Sequence, residues 1–211
     1  MACTLPLLLV ASAVASELSI TVRQPGGAPV VGAVVIAEPV APAPPARGTQ
    51  RAIVNQKDLR FLPDILVVRT GTAVDFPNGD PVRHQVYSFS SARKFQLSLY
   101  SGSAHAPVQF DTPGLVTLGC NIHDSMIGYI VVTDSPWFGR TGKAGELSLR
   151  ELPAGQYTVR LWHPRIKDTA DSLARSVTLG AIDRQSIEYT LKKALTPGAH
   201  NNGTAKQWED Y

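Results

Sequence analysis

One stretch of this sequence, Gly119-Cys120-Asn121-Ile122-His123-Asp124-Ser125-Met126, sets a thiol, an imidazole and a thioether at three-residue intervals, C-x-x-H-x-x-M. Soft donors are scarce elsewhere: the 211-residue chain has two cysteines and two methionines, and the others are Cys3 and Met1 at the N-terminus. Thiolate and thioether sulfur favour Cu(I), whereas imidazole accepts copper in either oxidation state. A second imidazole, from His84, would complete a trigonal His, His, Cys set with a weak axial Met, a combination suited to passing one electron. Zinc competes for Cys and His but seldom recruits a thioether. Taken singly, a buried Cys is a small hydrophobe, a Met fills core space and a loop His is solvated. Together at this spacing, His84, Cys120, His123 and Met126 form a candidate site for one copper ion.

Such a site needs a scaffold that brings residue 84 to residues 120–126. The composition, with 44% hydrophobic residues and 7% aromatics, supports a packed core. Apolar runs of helical period are hard to find, while short alternating runs punctuated by Gly, Pro, Asn and Asp recur, so the chain is expected to be all-β. Seven such segments are expected between Arg51 and Thr133, at Ala52–Val54, Phe61–Val68, Ala73–Phe76, His84–Ser88, Val108–Phe110, Gly114–Leu118 and Ile127–Val132. That density of short strands predicts a Greek-key sandwich or barrel. Here His84 opens one strand, whose Val86 and Phe89 are expected to pack away from water, and Cys120 closes another. The loop 121–126 then delivers His123 and Met126 to the same pole.

Two further runs flank this region. Leu18–Val22 and Val30–Ile36 read as a strand pair joined by Gln24-Pro25-Gly26-Gly27, and the proline-rich 38–48 reads as a linker. Residues 134–142 read as a second hinge, followed by strands at 145–149, 155–162, 176–179 and 186–191. Residues 193–211 are polar and expected to be a disordered tail. Residues 4–15 form a short apolar run ending in Ala13-Val14-Ala15, the small-residue pattern of a cleaved signal peptide, with 1–15 removed on export. The run is too short to span a bilayer, and no integral membrane segment is expected. The mature chain would then carry Cys120 as its one thiol, in an oxidising compartment where a metal would protect it. A net charge of +3 with scattered basic residues gives no footprint for nucleic acid. Of the remaining histidines, His105 is expected to be solvated, His163 to be structural, and His200 to lie in the tail.

Residues 51–133 resemble the cupredoxins, the small blue copper proteins such as plastocyanin, pseudoazurin and amicyanin. The likeness rests on Phe61-x-Pro63, Val67-Val68, Gly71-Thr72-x-Val74-x-Phe76-x-Asn78-x-Asp80, His84 and Cys120-x-x-His123-x-x-Met126, with a ligand loop as short as that of amicyanin. It implies His84 and His123 as equatorial nitrogen ligands, Cys120 as thiolate and Met126 as axial thioether. Arg83 departs from the pattern, since plastocyanins commonly have a small residue or proline before the first ligand. The wider sequence, at 86–90 and 121–124, resembles bacterial proteins labelled methylamine utilization proteins. Leu152-Pro153-Ala154-Gly155-x-Tyr157 resembles the carboxypeptidase regulatory-like, transthyretin-like β-sandwich. The implied architecture is a cupredoxin domain at 51–133 inserted into a small sandwich built from 17–37 and 143–192. The alternative sets residues 18–36 on the copper barrel.

The function expected from these residues is that of an exported, periplasmic copper protein cycling between Cu(I) and Cu(II) as a one-electron carrier. It would exchange electrons with a protein redox partner through His123 and catalyse no bond chemistry. The alternative is sequestration or delivery of copper without redox turnover, using the same four ligands.

Overall fold

The computed structural model describes residues 16–42, 50–103 and 105–197. The expected signal peptide, most of the linker, His200 and residues 198–211 of the expected tail lie outside the described residues. Strands β1 (Ser16–Arg23) and β2 (Val34–Pro39) come first. They are followed by β3 (Arg51–Ile53), β4 (Asn55–Lys57), β5 (Arg60–Leu62), β6 (Ile65–Arg69) and β7 (Thr72–Asp75). Next come β8 (Tyr87–Ser90), β9 (Arg93–Gln96), β10 (Val108–Phe110), β11 (Gly114–Gly119) and β12 (Ile127–Thr133). The chain continues through β13 (Phe138–Arg140), β14 (Glu146–Leu152), β15 (Gly155–Trp162), the one-turn helix α1 (Ala170–Leu173), β16 (Arg175–Leu179) and β17 (Arg184–Thr190).

The chain is nearly all-β, and its strands sort into two sandwiches. In the first, the sheet β6-β12-β11-β8-β9 faces the sheet β10-β7-β3, with the hairpin β4-β5 at one end. Phe61, Val74, Phe76, Phe110, Val116, Leu118, Ile130 and Val132 fill the space between, and Cys120 and Met126 belong to this same core. In the second, β14-β1-β17 faces β13-β2-β15-β16. The alternation of β1 explains its place: Leu18, Ile20 and Val22 are buried while Glu17, Ser19 and Thr21 face outward. β1 pairs antiparallel with β14 and parallel with β17, and β2 pairs antiparallel with β13 and β15, so the partners of both lie beyond residue 137.

The sandwiches meet at a small apolar cluster of Val34, Ile36, Ile65 and Val131, flanked by Val67, Tyr129, Phe138 and Trp162. Arg140 staples the junction, donating to the carbonyls of Gly32 (3.2 Å) and Ile65 (2.9 Å) and pairing with Asp64 (3.3 Å). The expected hinge at 134–142 is therefore corrected: Phe138–Arg140 is a strand in register with Val34–Ile36, fixed on one side by that pairing and on the other by Arg140. The expected strand Phe61–Val68 is two strands, because Pro63 has no N–H to give a ladder and Asp64 turns the chain. Residues 193–197 are held on the second sandwich, where the Thr196 N–H donates to the Arg165 carbonyl (2.9 Å) and the Leu195 N–H to Gln24 Oε1 (3.2 Å).

His163, just past β15, is buried and accepts a hydrogen bond from the Arg165 N–H (3.2 Å) through Nδ1. Burial, with the nearby charges of Arg165 and Arg140, pushes its pKa down to about 4, against a weaker opposing pull from Asp64. The folded value lies below the ordinary 6.5, so the unfolded chain binds this proton more readily. The stability held by neutral His163 is therefore complete above about pH 6.5 and is lost as the pH falls toward about 4. Denaturant unfolding across this window should show that slope, and His163→Gln should remove this residue's share of it.

Candidate metal centre

Three side chains from two places in the chain, His84 and the stretch 120–123, converge at one pole of the first sandwich. His84 Nδ1 lies 3.1 Å from His123 Nδ1, and Cys120 Sγ lies 3.8 Å from each of these nitrogens. The three ligand atoms are close enough to share one ion. His84 and Cys120 are buried and His123 is partly exposed. Met126 is also buried, in the same core cluster as Cys120 and beside the same surface groove.

Local structure explains each placement. β11 runs through Leu118, whose side chain enters the core, to Gly119 and delivers Cys120 at its end. The following residues form a tight turn closed by the Met126 N–H on the His123 carbonyl (2.9 Å), which carries His123 back over Cys120 and returns the chain to β12. His84 stands ahead of β8 rather than opening it. It is fixed by a two-way bridge to Tyr100, with N–H···O distances of 3.0 and 2.9 Å. Val86 is buried as expected, but Phe89 is 75% exposed, a correction that alternation explains. Residues 86 and 89 are an odd number apart and face opposite sides of an extended chain.

A residue quoted in the sequence motif without a role, Asp80, controls the orientation of His84. Asp80 Oδ2 accepts from His84 Nε2 (2.8 Å), and the carboxylate also accepts the N–H groups of Asp58 (2.7 Å) and Leu59 (3.1 Å). Those two residues form the β4–β5 turn with φ near 54° at both positions, which aims consecutive N–H groups at one anion. Burial alone would raise the Asp80 pKa, but the His84 hydrogen bond, the two N–H donors and the His84 charge outweigh it and hold the carboxyl below its ordinary value. Asp80 is thus an acceptor only. With Asp80 accepting at Nε2, the neutral His84 ring that ligates a metal would carry its proton there and offer Nδ1 toward His123 and Cys120. The available sequence signal was the four-residue spacing from Asp80 to His84.

The floor of the site is polar and hydrogen-bonded, save for the buried Gln56 Oε1, which has no partner among the described residues. Asn78 donates to the carbonyls of Val82 (2.8 Å) and Tyr100 (2.9 Å) and accepts from the Asp80 N–H (2.9 Å), which shapes the loop leading to His84. The Tyr100 hydroxyl donates to the Phe76 carbonyl and accepts from Gln56 Nε2, both at 2.5 Å. Burial raises the Tyr100 pKa to about 12, against the Gln56 bond and with a contribution from the charge of Cys120. Burial also lowers the pKa of His123, helped by His84 and opposed by Asp80, so His123 favours the neutral form that can ligate a metal. His105 is not solvated freely: it bonds the Ser98 carbonyl (3.1 Å) and its ring lies edge-on to Tyr100.

No protein-family model matches the sequence, and comparison with curated proteins gave no match. Among solved structures, the chain is similar to a copper-containing nitrite reductase from Thermus scotoductus SA-01, with 25% identity and a TM-score of 0.38 over 45% of this chain and 25% of that one. It is similar to a purple cupredoxin from Nitrosopumilus maritimus, with 20% identity and a TM-score of 0.35 over 39% of this chain and 99% of that one. It is also similar to a point mutant of amicyanin in its reduced state, with 20% identity and a TM-score of 0.35 over 46% of this chain and 98% of that one. The chain thus spans about a quarter of the length of the reductase and nearly the whole of the two small cupredoxins. These structural neighbours are cupredoxins, alike over less than half of the present chain.

Replacing Asp80 by Ala should free the His84 ring and weaken binding of a metal ion to the site by roughly 10- to 100-fold, measured by competition with a chelator of known affinity. Asp80→Asn, which still accepts from Nε2, should fall between the two.

Proposed function

We propose that the chain is a mononuclear copper protein that carries one electron at a time, with His84, His123 and Cys120 as its strong ligands and Met126 as its weak one. The observation that carries this reading is the size of the donor triangle. Nδ1 of His84, Nδ1 of His123 and Sγ of Cys120 all lie within 3.8 Å of one another, so these three side chains could hold one ion together. Two imidazoles and a thiolate with a buried thioether in the same core suit copper better than the closed four-ligand site of structural zinc. Among the described residues Cys120 has no disulfide partner, so its thiol is available to a metal.

The bound ion would supply exchange between Cu(I) and Cu(II). The chain's own residues keep that exchange from requiring rearrangement. Cys120 is fixed by its strand, His84 by Asp80 and the Tyr100 bridge, and His123 by the turn that ends at Met126. His84, Cys120 and Met126 are buried and His123 is partly exposed, which supports a carrier that performs no bond chemistry. The apolar run at 4–15 and the solitary thiol of the mature chain support export to the periplasm, where a protein redox partner would be met.

Loaded with Cu(II), the protein should show an intense visible thiolate-to-copper absorption and a single copper signal by electron paramagnetic resonance. Cys120→Ser should abolish the absorption band, and an unchanged spectrum would remove the reading.

A further inference from the structure

Beside the metal centre lies a groove that the electron-transfer reading does not use. It has a volume of about 460 Å³, and Cys120 and Met126 both line it although they are only 2% and 1% exposed. Neither His84 nor His123 is among its lining residues, so the groove reaches the donor set from its sulfur side. An approach past the partly exposed His123 meets imidazole first.

The groove has a sign. Asp124 is the one charged residue among those lining it. Its side chain is exposed and makes no hydrogen bond or ion pair among the described residues. Lys94, opposite Phe89 on β9, is not a lining residue. A free carboxylate on an otherwise uncharged wall attracts a cation, and more strongly than it would in open water.

The wall also holds a ring that is packed but not bonded. Tyr87 lies on Gly119, the residue before Cys120, where a Cβ would come within 2.7 Å of Cζ and 2.8 Å of the hydroxyl oxygen. The two residues pair across β8 and β11. The Tyr87 hydroxyl has no hydrogen-bond partner among the described residues, and its aromatic neighbour, Phe89 at 5.2 Å between centroids, is 75% exposed. The ring can therefore turn to another rotamer without losing a hydrogen bond.

We propose that this groove is the entry path for Cu(I), with the Asp124 carboxylate drawing the cation in and the Tyr87 ring swinging aside to admit it to Met126 and Cys120. The proposal rests on the copper reading above and adds the route and the oxidation state of uptake. Thioether and thiolate favour Cu(I), so the donors met first on this side select that state. During uptake the sulfurs of Met126 and Cys120 displace the weak ligands that Cu(I) brings from solution, and the Cys120 thiol gives its proton to water. No electron is exchanged.

The test mixes the full metal-free chain, without oxygen, with tetrakis(acetonitrile)copper(I), a weakly ligated monocation. Stopped flow follows the ultraviolet Cu(I)–thiolate absorption. Tyr87→Ala should load about threefold faster, because no ring has to move first. Phe89→Lys, which sets a cation on the groove, should load about threefold slower, while Ile122→Lys, beside His123, should stay within about twofold of the wild type. Asp124→Asn should load more slowly at low ionic strength and lose the slowing that sodium perchlorate causes in the wild type. In Tyr87→Ala, release of Cu(I) to a chelator should quicken by the same factor as uptake, leaving the affinity unchanged. Faster release with unchanged uptake would make Tyr87 a support of the ligands and overturn its part in the path. Slowing in Ile122→Lys with wild-type rates in Phe89→Lys and Tyr87→Ala would place entry at His123 and overturn the proposal. Uptake indifferent to both perchlorate and Asp124→Asn would overturn the role of the carboxylate. A wild-type protein that never develops the Cu(I)–thiolate absorption would be a failure of the copper reading itself, seen before any rates are compared.

Discussion

Two imidazole nitrogens 3.1 Å apart, each 3.8 Å from one sulfur, form a grouping that isolated side chains would not hold. Lone pairs at that separation repel unless a proton or a cation lies between them. The restraint comes from elsewhere in the fold. The Asp80 carboxylate grips the far side of the His84 ring and so decides which nitrogen faces inward, and the β4–β5 turn in turn grips Asp80. The turn holds Asp58 and Leu59 in the left-handed region, a conformation that costs a non-glycine residue about 1–2 kcal/mol. A strained turn, a buried carboxylate and an oriented ring form one chain of cause leading to the metal centre.

The core of the first sandwich completes that restraint from the opposite side. Leu118 and Val116 anchor β11 between the sheets, so Cys120 emerges at a fixed height, and Ile130 and Val132 do the same for the strand that follows Met126. The loop between them has no freedom to swing, because its ends belong to paired strands with Gly119 opposite Ile127. The second sandwich is docked against β6 and β12 by a small apolar cluster and by Arg140, on the sheet face away from the first core. It therefore covers part of a sheet whose remaining part lies open beside the site.

Much of this is legible in the chain. The donor residues stand out because Cys and Met are so rare, period-two alternation marks β1 and β15 plainly, and β12 shows as a short continuous apolar run. What escapes the sequence has physical reasons. Short polar strands such as β4 (Asn-Gln-Lys) and β9 (Arg-Lys-Phe-Gln) carry little apolar signal, since β4 belongs to a two-stranded hairpin with β5 and β9 lies at the edge of its sheet. β13, Phe-Gly-Arg, looks like a loop until its partner β2 is known. Phe89 invites an inward assignment because an aromatic residue in a strand is usually inside, although its distance from Val86 already requires the other side. The role of Asp80 is hidden because a carboxylate in a Pro-Asn-Gly-Asp turn normally just ends a turn. Only the folded position of the β4–β5 hairpin turns it into a ligand support.

X-ray absorption at the copper edge of the Cu(I)-loaded protein tests the central claim most directly. One sulfur at about 2.3 Å and two nitrogens at about 2.0 Å around a single ion are expected, with the sulfur shell missing in Cys120→Ser. A shell of nitrogen and oxygen alone, or a copper–copper scattering path, would contradict the account.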